Sequence, residues 1–153
     1  MNEPIRVAIV SSDELFYQRA REVLESADRI TVVGEAEDTQ KATDLVRETH
    51  PDVILLEIGS RHASNLEILA QIQELFPRTR IIVFNEEDQE ELVLEAFRKG
   101  ALGHLVKGKA QPAEIVEAIR AVNRGEAILS PGLAGSILDE VIQEQRKSLK
   151  EPD

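Results

Sequence analysis

Five short aliphatic runs, each followed by a longer stretch with helical spacing, constrain this chain more than any other feature. IRVAIV (5–10), ITVVGEA (30–36), VILLE (53–57), IIVF (81–84) and GHLV (103–106) are strand-sized. The stretches 14–27, 39–50, 65–76, 89–100 and 112–125 repeat their apolar residues on one helical side. Punctuation agrees with this division: Pro51 and Pro77 lie just past helical segments, Gly100 closes the fourth, and Pro112 and Gly125 bracket the fifth. Strands this short and this apolar are buried on both faces, which predicts an α/β doubly wound, five-stranded parallel sheet with helices on each side. Right-handed crossovers then carry every strand's carboxyl end to one edge, where sites form near the switch point of strand order.

Six residues fall just past strand ends and form the candidate site: Ser11, Ser12, Asp13, Glu57, Asn85 and Lys107. Each also has a plainer reading. Asp13 or Ser12 can cap the first helix, and Lys107 is solvated by default, although the fold brings it near Glu57, where an ammonium can pair with the carboxylate. His50, His62 and His104 are scattered, with no metal-ligand spacing. The first strand runs into SSDE, which is neither a dinucleotide fingerprint nor a phosphate loop. No histidine is clearly placed to activate Ser11 or Ser12, and only Glu57 and Asp13 offer carboxylates to a divalent cation. These residues predict neither an enzyme nor a bound cofactor.

Composition narrows the class. At 153 residues the chain suits one domain with a real core. Eighteen basic against 29 acidic residues leave a net charge of −11, which repels a phosphate backbone and argues against nucleic-acid binding by these residues, though not by a basic domain in a longer chain. Without cysteine there is no disulfide or thiolate chemistry. No apolar run is long enough to span a membrane, and MNEPIRV lacks the pattern of a secretory signal, so a cytoplasmic protein is expected.

Together the segments IRVAIV, VVGEAED, HPDVILLEIG, FPRTRIIVF, AFRKGALGHLVKG and PAEIVEAIRAVNRGEAILSP, in that order, resemble a bacterial response-regulator receiver domain. The branch they resemble is the one usually followed by a LuxR-type helix-turn-helix domain, and the likeness covers about residues 4 to 131. It implies a sheet of strand order 2-1-3-4-5. It also implies phosphate transfer from a histidine kinase to an aspartate at the end of the third strand. In such domains two acidic residues after the first strand help hold Mg2+, while a Thr or Ser after the fourth and a Lys after the fifth contact the phosphoryl group. By this resemblance Glu57 stands at the phosphoacceptor position, Ser11 and Ser12 at the acidic pair, Asn85 at the hydroxyl position, and His104 at the aromatic switch position; Lys107 alone fits the pattern.

These departures share a physical sense. Without the acidic pair there is much less negative charge for a cation to balance. A glutamate nucleophile stands one methylene further out, which spoils an in-line geometry. The resemblance therefore implies an atypical receiver, a pseudo-receiver in which Glu57, Asn85 and Lys107 form their own network. Asp13 follows the register of the pair by one residue and is expected to point elsewhere. The alternatives are a receiver phosphorylated on unusual residues and a small-molecule-binding module at the same edge.

After the receiver-like part, residues 1–131, the segment 132–153 reads as a linker helix and tail. Leu133, Ile137, Leu138, Val141, Ile142, Gln145 and Leu149 fall along one broad side of this sixth helix, which is expected to bury them either on the sheet-covering helices of the same molecule or, as the favoured arrangement, in a homodimer. Other expected partners are a histidine kinase or another signalling protein, and a DNA-binding output domain beyond this sequence.

Overall fold

The computed structural model describes residues 3–59, 64–86 and 90–150; His62 and the side chain of Leu149 lie outside them. Its strands are β1 (Ile5–Val10), β2 (Ile30–Ala36), β3 (Val53–Glu57), β4 (Arg80–Asn85) and β5 (Gly103–Val106). Five helices alternate with them: α1 (Glu14–Glu25), α2 (Thr39–Thr49), α3 (Ser64–Leu75), α4 (Glu90–Arg98) and α5 (Pro112–Asn123). A sixth, α6, spans Pro131–Lys150. All the strand pairs are parallel, in the order β2-β1-β3-β4-β5. The strand order reverses at β1, so the switch-point crevice lies between the ends of β1 and β3.

The apolar runs divide by alternation into two cores, one on each face of the sheet. Ala8, Val10, Ile54, Leu56, Ile81 and Val83 face the α2–α3–α4 side. Val7, Ile9, Val53, Leu55, Ile82 and Phe84 face α1 and α5. This is the two-sided burial that the unbroken aliphatic strands predicted.

Helix ends differ from the sequence reading by one or two residues, for identifiable reasons. The first helix stops at Glu25, where the Ser26 N–H reaches back to the Glu22 carbonyl. His50 ends α2 in the left-handed region at φ 46°, its N–H bonded to the Val46 carbonyl, so this histidine is a helix stop. Gly100, at φ 119°, follows α4, and a Cβ there would collide with the Gln73 side chain.

The outer edge of β5 is covered by the segment leading into α6. The His104 N–H donates to the Ile128 carbonyl at 2.8 Å, and the Ile128 N–H to the Leu102 carbonyl at 3.0 Å. The first half of α6 then docks on α4 in the same molecule. Leu133 is buried, Ile137 packs on the same core, the Ser136 hydroxyl donates to Glu90 Oε1 at 2.7 Å, and Arg98 pairs with both Glu140 and Glu95. The expected single apolar side is thus split, because Leu138, Val141 and Ile142 remain 59%, 45% and 37% exposed.

Candidate functional site

The parallel register aligns Val10 with Leu56, which sets Ser11 beside Glu57 across the crevice. Ser11 is buried. Its hydroxyl donates to Glu57 Oε1 at 2.9 Å and accepts the Asp13 N–H at 3.0 Å. The Ser12 N–H also reaches Glu57 Oε1, at 3.3 Å. Ser12 therefore contributes its backbone to the site, and the helix cap falls to Asp13, whose Oδ1 accepts the Phe16 N–H at 3.2 Å.

The second oxygen of each carboxylate meets Lys107. Its Nζ lies 2.8 Å from Glu57 Oε2 and 2.7 Å from Asp13 Oδ2. Asp13 thus turns into the site instead of pointing elsewhere, because a capping carboxylate uses one oxygen on the helix and keeps the other free. Lys107 is positioned by its backbone, since its N–H donates to the Asn85 carbonyl at 2.7 Å where β4 and β5 end. Beneath it the Phe16 ring stacks on Phe84 with centroids 4.0 Å apart, an apolar floor under a charged cluster. The ammonium lies 5.8 Å from the Phe16 centroid.

The environment shifts these charges predictably. Burial pulls the Lys107 ammonium down, but hydrogen bonds and charge from Asp13 and Glu57 outweigh it and raise its pKa above the ordinary 10.5. The bond from Lys107, helped by the Phe16 N–H, lowers Asp13 below 3.8. Both groups are therefore fully charged across the neutral range.

Asn85 is 2% exposed, and its Oδ1 lies 2.7 Å from His104 Nε2. A carbonyl oxygen only accepts, so Nε2 carries the proton and neutral His104 has Nδ1 as its free acceptor. Burial lowers the His104 pKa below 6.5, which favours that neutral form. His104 and Asn85 also line a cavity of about 340 Å³ between the β4–α4 connection, β5 and the start of α6, with Glu90, Lys109 and Leu133 on its walls.

All six strand-end candidates thus meet at one edge, with His104 adjoining through Asn85. The sequence reading missed the Ser11 hydroxyl on Glu57, the bidentate use of Asp13, and the Asn85–His104 bond. An Asx residue directly before a helix was the one available signal for the second of these. Among the described residues no group of three His, Asp or Glu side chains is arranged to hold a metal ion, and no helix is long and apolar enough to cross a membrane.

Comparison with known proteins agrees with this architecture. The family model described as "Response regulator receiver domain" matches residues 7–120. The chain is 35% identical over 146 residues to the uncharacterized transcriptional regulatory protein YxjL of Bacillus subtilis, covering 95% of this chain and 66% of that protein. It is 30% identical over 131 residues to the nitrate/nitrite response regulator NarL of Escherichia coli, covering 86% of this chain and 60% of the relative. The chain therefore spans no more than about two thirds of the length of these relatives. Among solved structures, a LuxR-family two-component response regulator from an Aurantimonas species superposes with a TM-score of 0.79 at 29% identity, covering 92% of this chain and 99% of the other. The receiver domain of a NarL from Mycobacterium tuberculosis gives 0.75 at 28% identity, covering 81% and 99%. The chain belongs to the response-regulator receiver domain family. Receiver domains of this family are signalling modules, not enzymes.

Proposed function

We propose that this chain is an atypical receiver that passes signals through protein contacts and works without aspartyl phosphorylation. The observation that carries the reading is the closure of Glu57: Lys107 holds one carboxylate oxygen, while Ser11 Oγ and the Ser12 N–H hold the other. The acidic pair of the family falls on Ser11 and Ser12, and the neighbouring carboxylate of Asp13 is committed to Lys107 and to the α1 cap. Such a donor set does not suit Mg2+, which asks for several oxygens freely arranged around it. Here an ammonium sits between the two carboxylates instead. Residues 1–131 act as the receiver and 132–153 as the linker. In a longer protein the linker leads to a DNA-binding output domain. The module functions in the cytoplasm as a homodimer, with a histidine kinase or another signalling protein as its input partner.

The test is exposure of the chain to a small acyl phosphate with Mg2+, followed by intact-mass measurement. No hydroxylamine-sensitive phosphoryl gain is expected. Stoichiometric modification at Glu57 would instead establish a phosphorylatable receiver with unusual residues.

A further inference from the structure

The half of α6 that does not dock on α4 carries a self-complementary surface. Successive side chains on an α-helix are turned by about 100°, so Leu133, Ile137 and Glu140 share the docked face. Leu138, Val141, Ile142 and Gln145 line a second stripe, centred roughly 120° round the helix from it. The three aliphatic residues there are the exposed ones, and none of the other described residues covers them. Two charges run along one edge of this stripe, Asp139 and, two turns later, Arg146, both exposed. The other edge carries Ile137, Glu144 and Ser148, with no basic residue to match Asp139.

We infer that this stripe pairs with the same stripe of a second copy, the two helices antiparallel about a two-fold axis near Ile142. The charge pattern selects the orientation. In an antiparallel pair like edges face each other, which sets Asp139 against the Arg146 of the second copy, twice by symmetry. A parallel pair sets each charged edge against the opposite edge, where Arg146 finds Glu144 but Asp139 meets Ile137 and Glu144 and no basic residue, so only the antiparallel pair satisfies both charges. The docked face of each helix is turned roughly 120° from the seam, so each receiver domain lies beside its own helix and leaves the stripe open. Val141 and Ile142 from both copies meet at the axis, where the burial is greatest. A seam this short buries less than the roughly 1,200 Å² of a stable interface, so the association is weak and depends on concentration.

This deepens the homodimer of the proposed function by assigning its surface and orientation. Its test is sedimentation of the full chain over a wide concentration range. The wild type is expected to self-associate. Asp139→Arg and Arg146→Asp alone each weaken association by about fivefold or more, because two attractions become two repulsions. The double variant Asp139→Arg with Arg146→Asp restores it to within about twofold. Leu138→Lys abolishes it, while circular dichroism keeps α6 helical. Monomers throughout the range would overturn both the surface and the homodimer. A dimer indifferent to all four variants would overturn the surface alone. Neither result bears on the chemistry at Glu57, which the mass measurement decides separately.

Discussion

Lys107 Nζ lies 2.8 Å from Glu57 Oε2, joining the end of β5 to the end of β3 across β4. Both side chains are only 17% exposed, so the pair is worth more than a surface ion pair. It is also shared, since Asp13 takes the same ammonium at 2.7 Å. Among the described residues Lys107 is thus the ammonium held between the two carboxylates, and both depend on it for their balance.

A double-mutant cycle on Lys107→Ala and Glu57→Gln is expected to give a coupling of about 1–2 kcal/mol in urea denaturation. Lys107→Ala alone costs more than Glu57→Gln, because it leaves two carboxylates facing each other without a cation. Equal losses from the two single variants would show that Asp13 and Glu57 do not share the ammonium.

The charge states set the pH dependence. Asp13 titrates below 3.8 in the folded chain, so its stabilisation is complete above 3.8 and is lost as pH falls through the depressed value. Lys107 titrates above 10.5, so its contribution is complete below 10.5 and disappears as pH rises through the raised value. Stability is expected to hold across the interval between, apart from the step that His104 contributes. Denaturation of wild type and Lys107→Met at alkaline pH checks this: the variant should lack the high-pH loss assigned to Lys107.

His104 adds a step of opposite character. Its folded pKa lies below 6.5, so the unfolded chain binds a proton first and stability declines as pH drops from 6.5 through the lower folded value. Replacing it by Gln, which retains a donor for Asn85, is expected to flatten that decline. The ring resonances, followed by NMR titration, should show a midpoint below 6.5; a midpoint above it would contradict neutral His104.

Asn85 is nearly inaccessible and its carbonyl holds His104, so Asn85→Ala is expected to destabilise the chain by about 1–3 kcal/mol. Asn85→Asp offers the same acceptor with a charge and should raise the His104 midpoint. An unchanged titration in Asn85→Asp would mean that the two side chains are not in contact in solution.

Docking of α6 rests chiefly on Leu133, with Arg98–Glu140 at its rim. Leu133→Ala is expected to cost about 2 kcal/mol, the low end for a buried leucine because the site lies at the edge of the core. Faster amide exchange should then be confined to the 131–142 region, leaving β1, β3 and β4 as protected as before. Arg98→Ala should leave the stability nearly unchanged, since that pair is exposed.

Much of this protein is determined by its sequence alone. The alternation of aliphatic strands with amphipathic helices, and the Pro and Gly residues at their ends, are local signals with fixed periods. They place β1 to β5 within a residue or two, and parallel crossovers then oblige Ser11, Asp13, Glu57, Asn85 and Lys107 to share an edge. Which of these side chains touch is not local. Ser11 meets Glu57 because β1 and β3 pair in one particular register, with Val10 opposite Leu56. Asp13 joins Lys107 because its second oxygen is left over from the helix cap, and Asn85 finds His104 because β4 and β5 end side by side. The sixth helix makes the same point: its apolar residues were visible as a single broad side, but only the packing of Leu133 and Ile137 on α4 divides them into a docked face and an exposed one. Periodicity reports that a face must be buried, whereas the partner that buries it is set by contacts between segments far apart in the chain.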